Sequence, residues 1–283
     1  QKIEIHLSES QESEKNKKYK NSEIIGLDRE VAIDTILGAN IFPFFRQRPF
    51  NVIPDPKVIP RDIFVSAINT APLAFDQEVV IKENLDSFQA GVDALNTLTS
   101  GKVYLTSKTG SVVSSIQNVE AYTIDGPHPA GNVGIQIHHI SHLKPGENVW
   151  TINSQDVITI GKLFLRGIYD PTRVITLAGP CVKEPGHFRI NAGAKISTIT
   201  NGRMINDEKR IISGDVLTGR VTSPEDFLSF YDYSISVISD EVKREFIGML
   251  NPGSSSSRYS LTPVFLSLSK VLFPFNTSQN GSY

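Results

Sequence analysis

The chain has 283 residues, 39% hydrophobic and 20% charged, enough to bury two or three cores of ordinary globular composition. With 28 basic against 30 acidic residues the formal charge is −2, which excludes a protein-wide field drawing in nucleic acid or an anionic membrane; partners must be met through local patches. A single cysteine, Cys181, excludes an internal disulfide framework and any multi-cysteine metal or iron–sulfur centre built by this chain alone, and fits a reducing, cytoplasmic setting.

The chain opens on Gln1 without an export leader, and its start reads as a cut. Ile3, Ile5 and Leu7 alternate with polar residues as in a half-buried strand, and the charged run 9–20 reads as solvated. Asp28 is an acceptable N-cap for a packing helix with Val31, Ile33, Ile36 and Leu37 on one face, closed by Gly38 and Asn40. Next, Phe44-Phe45-Arg46-Gln47-Arg48-Pro49-Phe50 leads to Pro54, Pro56 and Pro60, which forbid regular helix or central strand and predict an extended strap. Two arginines beside three aromatics could grip a phosphate or a ring; alternatively, Phe44 and Phe45 are core and the arginines pair with carboxylates.

From Arg61 the pattern alternates. A buried strand over 63–68, a helix over 77–98 stopped by Gly101, and a strand over 102–106 make a βαβ unit with parallel strands, so ligands are expected at the carboxyl ends of the strands. A third strand over 119–124 runs into a glycine-rich segment. After Trp150-Thr151-Ile152, Ser154 can cap a helix over 155–166 that Gly167 ends. Past Pro171, strands over 173–179 and 187–190, a short helix from Ala194 and a strand over 210–214 follow the order of a β-grasp module. Alternation at Tyr231, Tyr233, Ile235 and Val237, and a further run over 245–250, predict two strands able to pair with the N-terminal one. Residues 251–258 read as a flexible loop. No stretch reaches the ~20 unbroken apolar residues that span a bilayer; 261–275 is the nearest, interrupted by Pro263, Lys270 and Pro274. The end at Tyr283 also reads as a cut.

Gly126-Pro127-His128-Pro129-Ala130-Gly131-Asn132-Val133-Gly134 is the best ligand candidate, because a glycine-rich loop after a strand can close backbone N–H groups around an anion or a ring. The same glycines also suit plain turns, and their spacing lacks the tight dinucleotide fingerprint. His128, His138, His139 and His142 could bind zinc or shuttle protons, or be structural. Taken as a strand, the segment puts His138 and His142 on one face and His139 on the other. Cys181 has no neighbouring base and reads as a packing residue; no nucleophile is assigned.

The loop 126–131, then Val149-Trp150-Thr151-Ile152-Asn153-Ser154-Gln155-Asp156-Val157-Ile158 and Gly161-Lys162-Leu163-Phe164, resembles the A-subunit family of the bacterial sodium-translocating NADH:quinone oxidoreductases. Arg48-Pro49, Ile63-Phe64-Val65 through Pro72-Leu73-Ala74, and Arg210-Ile211-Ile212-Ser213-Gly214-Asp215-Val216-Leu217 support it in the family's order. Gln136 departs from a usual histidine and His139 from a common aromatic.

The resemblance implies an α/β (α+β multidomain) protein: a Rossmann-like α/β domain followed by a β-grasp domain, with remnant barrel-sandwich-hybrid strands. The expected division is a remnant of an N-terminal barrel-like domain over 1–25, a helix and strap over 26–62, the Rossmann-like domain over 63–170, the β-grasp domain over 171–223, and barrel-sandwich-type strands over 224–283. It implies a peripheral protein on the cytoplasmic face of the bacterial inner membrane, in a six-subunit complex, against the membrane subunit that carries quinone or flavin. No cofactor is expected on the isolated chain, with ubiquinone as a ligand in the assembly and flavins, iron–sulfur centre and NADH on other subunits. Gly126, His128, Gly131, Asn132, Gly134, His138 and Trp150 are the candidates for quinone or interface contact. The competing readings are a docking scaffold that lost its nucleotide site and a nucleotide-binding diaphorase.

Overall fold

The computed structural model describes residues 15–205 and 209–240. They divide into two compact units. The first takes the described residues up to Thr70 together with Asp76–Pro171; the second takes Ala71–Phe75 and the described residues from Thr172 onward.

In the first unit, helices α1 (Asn21–Ile24) and α2 (Arg29–Gly38) precede strands β1 (Arg46–Arg48) and β2 (Ile63–Ser66). Helices α3 (Gln77–Glu83) and α4 (Leu85–Asn96), strands β3 (Val103–Ser107) and β4 (Glu120–Thr123), helix α5 (Val133–Ser141), strand β5 (Val149–Asn153) and helix α6 (Ser154–Arg166) follow. The sheet order is β1-β5-β2-β3-β4. Strands β5, β2, β3 and β4 are mutually parallel, as crossovers through helices require, and β1 is antiparallel to β5. The order reverses between β2 and β5, so the switch point of this Rossmann-like sheet lies beyond Ser66 and Asn153.

Strand alternation sorts the two faces. Phe64 and Val149 meet α5 through Ile137, while Ile63, Val65, Leu105 and Ile152 are buried toward the other side, where α4 and α6 contact the sheet. Helices α4 and α6 approach closely because Gly161 faces the chain of the partner helix: a Cβ there would run into the Ser87 carbonyl and the Gly91 amide. Each large aliphatic side chain buried here contributes ~1.5–3 kcal/mol relative to exposure.

The second unit holds β6 (Thr172–Ala178), β7 (Gly186–Asn191), α7 (Ile196–Thr200), β8 (Lys209–Ser213), β9 (Arg220–Thr222) and β10 (Ser234–Ser239), in sheet order β7-β6-β10-β8-β9. Two hairpins flank a last strand that is parallel to β6 and antiparallel to β8, the β-grasp arrangement. Ile175, Leu177, Ile196, Ile199, Ile235 and Val237 form the core with Cys181. Phe75 belongs to this unit, its ring 5.4 Å from that of His187 and 6.4 Å from that of Tyr233.

Several elements differ from the sequence reading. The helix expected over 77–98 is two helices, broken where Asn84 leaves helical geometry (φ −135°, ψ 32°) and donates its side chain back to the Val80 carbonyl. The strap after Phe45 begins with strand β1, stabilised by pairing with β5 a hundred residues later; Phe44 and Phe45 are core, and Arg46 donates to Asn51. The cap of α6 is Asn153, which accepts from the Gln155 amide, with Ser154 as the first helical residue. The described part of the charged run, 15–20, is mostly exposed as expected, and is also anchored, the Asn16 and Tyr19 amides donating to the Gly167 and Phe164 carbonyls. Both edges of β10 are occupied by β6 and β8, leaving neither for an N-terminal strand. The strands expected over 1–7 and 245–250 and the loop over 251–258 lie outside the described residues. Among the described residues, no helix is long and apolar enough to cross a membrane.

Candidate functional site

At the carboxyl ends of β2 and β3, Ser66 and Thr106 stand side by side in register. Both are polar residues where a buried strand would otherwise continue apolar, and both bond to Gln136 of α5. The Thr106 hydroxyl donates to Gln136 Oε1 at 2.7 Å, and Gln136 Nε2 donates to the Ser66 hydroxyl at 3.2 Å and to the Gly131 carbonyl at 3.1 Å. Gln136 is 1% exposed, and its amide uses both its donor and its acceptor end.

The glycine-rich loop rests on this polar strip. Gly131 donates its amide to the Thr70 hydroxyl at 2.9 Å, and Nδ1 of His128 lies 3.3 Å from that same oxygen. A Cβ on Gly131 would sit 2.5 Å from the Thr70 amide nitrogen, so only glycine fits this approach. Two further loop amides turn inward, Ala130 to the Pro127 carbonyl and Asn132 to the Pro129 carbonyl, and the Ile135 and Gln136 amides of α5 donate to the Asn132 carbonyl. A loop prepared for phosphate would aim such N–H groups outward at the anion. Here Thr70 occupies the approach to Gly131.

Gly126, His128, Gly131 and Asn132 are thus brought together. Gly126 is exposed with φ +145° and Asn132 is exposed at the N-cap position of α5. Gly134 lies in the first turn, where a Cβ would meet open space. The segment holding His138 and His139 is helix α5, not a strand, with His142 as its C-cap. His138 and His139 are exposed neighbours, their rings 5.1 Å apart and edge to face. Among the described residues no group of three or more His, Cys, Asp or Glu side chains could hold a metal ion.

Trp150 does not join the loop. It is fully buried near the opposite end of β5, with the rings of Phe42 and Phe45 at 5.7 and 5.3 Å. Cys181 is buried in the second unit, and burial raises its pKa against the opposing pull of Lys209, favouring the protonated thiol. At the amino ends of the strands, Arg61 donates to Asp62, Glu147 and the Ser141 side chain and carbonyl, tying the end of α5 to the sheet.

Thr70, Ser66 and Thr106 escape the sequence reading. The available signal is that a hydroxyl residue closes each of two apolar strands, a weak one, because strands commonly end in polar residues.

A Rossmann-like sheet whose glycine-rich loop packs on Thr70, joined to a β-grasp sheet, defines the class of α/β protein to which this chain belongs. The family model described as the NqrA second alpha/beta domain matches residues 27–169, which is 143 of the 283, and that described as the NQRA C-terminal domain matches 174–223. The chain belongs to the NqrA family. It is 39% identical over 268 residues to the Na(+)-translocating NADH-quinone reductase A-subunit of Vibrio atlanticus, covering 93% of this chain and 60% of that one. Identity to the corresponding A-subunit of Saccharophagus degradans is 38% over 279 residues, 97% of this chain and 62% of that one. The chain therefore spans about three fifths of the length of these relatives. Among solved structures, an NAD+-reducing NiFe-hydrogenase in the H2-reduced state aligns with a TM-score of 0.54 at 13% identity, over 76% of this chain and 48% of that one. At that identity the likeness shows the fold alone.

Proposed function

We propose that this chain is a peripheral subunit, on the cytoplasmic face of the bacterial inner membrane, of a Na+-pumping NADH:ubiquinone oxidoreductase. Its role is associated with reduction of ubisemiquinone to ubiquinol, coupled to Na+ export. NADH, flavins and the iron–sulfur centre belong to other subunits of the six, and the membrane subunit bearing quinone or flavin is the main partner. The reading is supported by the relatives' names and by one observation: the loop that would receive a nucleotide is occupied by Thr70, leaving the His128 ring partly exposed beside it. In this reading His128, Asn132 and Gly126 form the loop surface met by quinone or a neighbouring polypeptide of the complex.

Photolabelling of the assembled complex with a quinone analogue tests this. Labelled peptides from 124–142 are expected; labels confined to other subunits sink the quinone contact. The inward-turned amides favour a second reading, a docking scaffold that has lost an ancestral flavin or NADH site. Replacing His128 in the whole complex separates the two, because a scaffold loses assembly before turnover.

A further inference from the structure

Helix α7 ends in a tight turn over 200–203. Asn201 takes φ −58° and ψ 127°, Gly202 takes φ +73°, and the Arg203 amide donates to the Thr200 carbonyl at 3.1 Å. This is a type II turn, with glycine at the position that needs a positive φ. Both Asn201 and Gly202 are exposed. Among the described residues, neither the Asn201 side chain nor the Gly202 amide has a hydrogen-bond partner, and a Cβ on Gly202 would meet nothing within 4 Å.

The other asparagines are placed differently. Every other described asparagine precedes a residue that carries a Cβ, which crowds the following amide nitrogen. Several also have their side chains engaged: Asn84 and Asn96 donate to the Val80 and Val92 carbonyls, and Asn153 accepts the Gln155 amide. At Asn201 an open carboxamide carbon stands next to an open, uncrowded nitrogen, and a bond between them closes a five-membered ring.

We propose that Asn201 is a self-modification site, converting in the folded protein to aspartate and isoaspartate through a ring closed with Gly202. Hydroxide takes the Gly202 amide proton and the nitrogen attacks Cγ of Asn201. The Cγ–Nδ2 bond breaks, and ammonia leaves with a proton from water. Water then opens the succinimide at one or the other carbonyl. Ring closure requires the Asn201–Gly202 peptide to swing out of its type II orientation, and glycine, lacking a Cβ, reaches both orientations without a clash.

The product adds a negative charge to a chain of formal charge −2, at the carboxyl end of α7. Isoaspartate also lengthens the backbone inside the turn that positions Arg203. The Arg203 carbonyl accepts the Lys183 amide at 2.8 Å, and its guanidinium donates to the Ile199 carbonyl and lies 4.8 Å from the centre of the Phe188 ring. The link between α7 and the segment after β6 therefore weakens as the protein ages.

Incubating the folded full chain in buffers from neutral to mildly alkaline tests the proposal, read by peptide mass mapping and isoaspartyl methyltransferase labelling. The peptide holding Asn201 is expected to convert ahead of every other described asparagine, at a rate proportional to hydroxide, and to accept the methyl label. Gly202→Ala, which sets a methyl group beside the attacking nitrogen, slows conversion about tenfold. Asn201→Gln, which would have to close a larger ring, leaves the peptide unmodified. A second Asn-Gly pair, 280–281, lies outside the described residues and maps to a separate peptide. Conversion of Asn201 confined to urea-unfolded protein overturns the proposal, because the folded turn then forbids ring closure. So does an equal rate in Gly202→Ala, or earlier conversion of any other described asparagine.

Discussion

The hydroxyl of Thr70 accepts the Gly131 amide at 2.9 Å and stands 3.3 Å from Nδ1 of His128, so one side chain anchors the middle and the end of the glycine-rich loop. Gly131→Ala forces a methyl group against the Thr70 backbone and is expected to destabilise the protein by about 1–3 kcal/mol in urea unfolding. Thr70→Ser keeps the acceptor and should cost less than Thr70→Val, which strips the Gly131 amide of its partner. Equal loss in the two threonine variants would contradict the anchoring role.

Gln136 joins Thr106, Ser66 and the Gly131 carbonyl in a buried network. Gln136→Leu takes the partner from the Gly131 carbonyl and leaves the Thr106 hydroxyl only its longer bond to the Val65 carbonyl, while Ser66 keeps its bond to Ile68, and it is expected to cost about 2–3 kcal/mol in chemical denaturation. Thr106→Val combined with Gln136→Leu should cost less than the sum of the two single changes, because the 2.7 Å bond between the two side chains is lost only once.

At the packed helices α4 and α6, Gly161→Ala sets a methyl group against the Ser87 carbonyl. The helices must separate, and a loss of about 3 kcal/mol is expected from guanidinium unfolding. The propensity gain of alanine over glycine, about 1 kcal/mol, is too small to offset that. An unchanged midpoint would show that the pair is not tightly packed.

The Glu147 carboxyl accepts the Lys144 amide at 3.0 Å and pairs with Arg61; these, the amide first, hold its pKa below the usual glutamate value. A group with a depressed folded-state pKa contributes stability that is present above its unfolded pKa and is lost as pH falls through the folded one. Glu147→Gln should therefore lower the unfolding midpoint at neutral pH, with the gap to wild type closing in the acid range below the ordinary glutamate pKa. Thermal unfolding across pH reads this, and a gap that persists at low pH would contradict the linkage.

Trp150 is the only tryptophan in the sequence and is fully buried against Phe42 and Phe45. Its fluorescence should be shielded from iodide in the folded protein and become quenchable only on unfolding. Because it lies toward the far end of β5 from the loop, a quinone analogue seated at His128 should leave this shielding unchanged.

Much of the architecture was readable because strands β2, β3 and β5 each open on apolar residues and α6 carries a capping Asn153 at one end and Gly167 at the other. What resisted reading was local pattern overridden by tertiary pairing. In α5, Val133, Ile135 and Ile137 alternate as a strand would, yet the segment is helical and buries Ile137 and Gln136 against the sheet, so the histidines could not be placed on a face from sequence. Strand β1 is three residues long and exists because β5 pairs with it, which nothing near Arg46 announces. Helices α3 and α4 share one apolar period across Asn84, so the break was invisible. The loop itself was legible as a loop; its contents were not, because Thr70 lies 61 positions from Gly131 and no spacing rule links a threonine after one strand to a glycine two strands later.

The five residues Ala71–Phe75 group with the second unit although the chain resumes the first at Asp76. The β-grasp half is therefore not a contiguous stretch of gene: a recombinant piece beginning at Thr172 would lack the Phe75 ring that lies against His187 and Tyr233. Dissecting this protein by truncation calls for grafting that pentapeptide back, or for keeping both halves on one polypeptide.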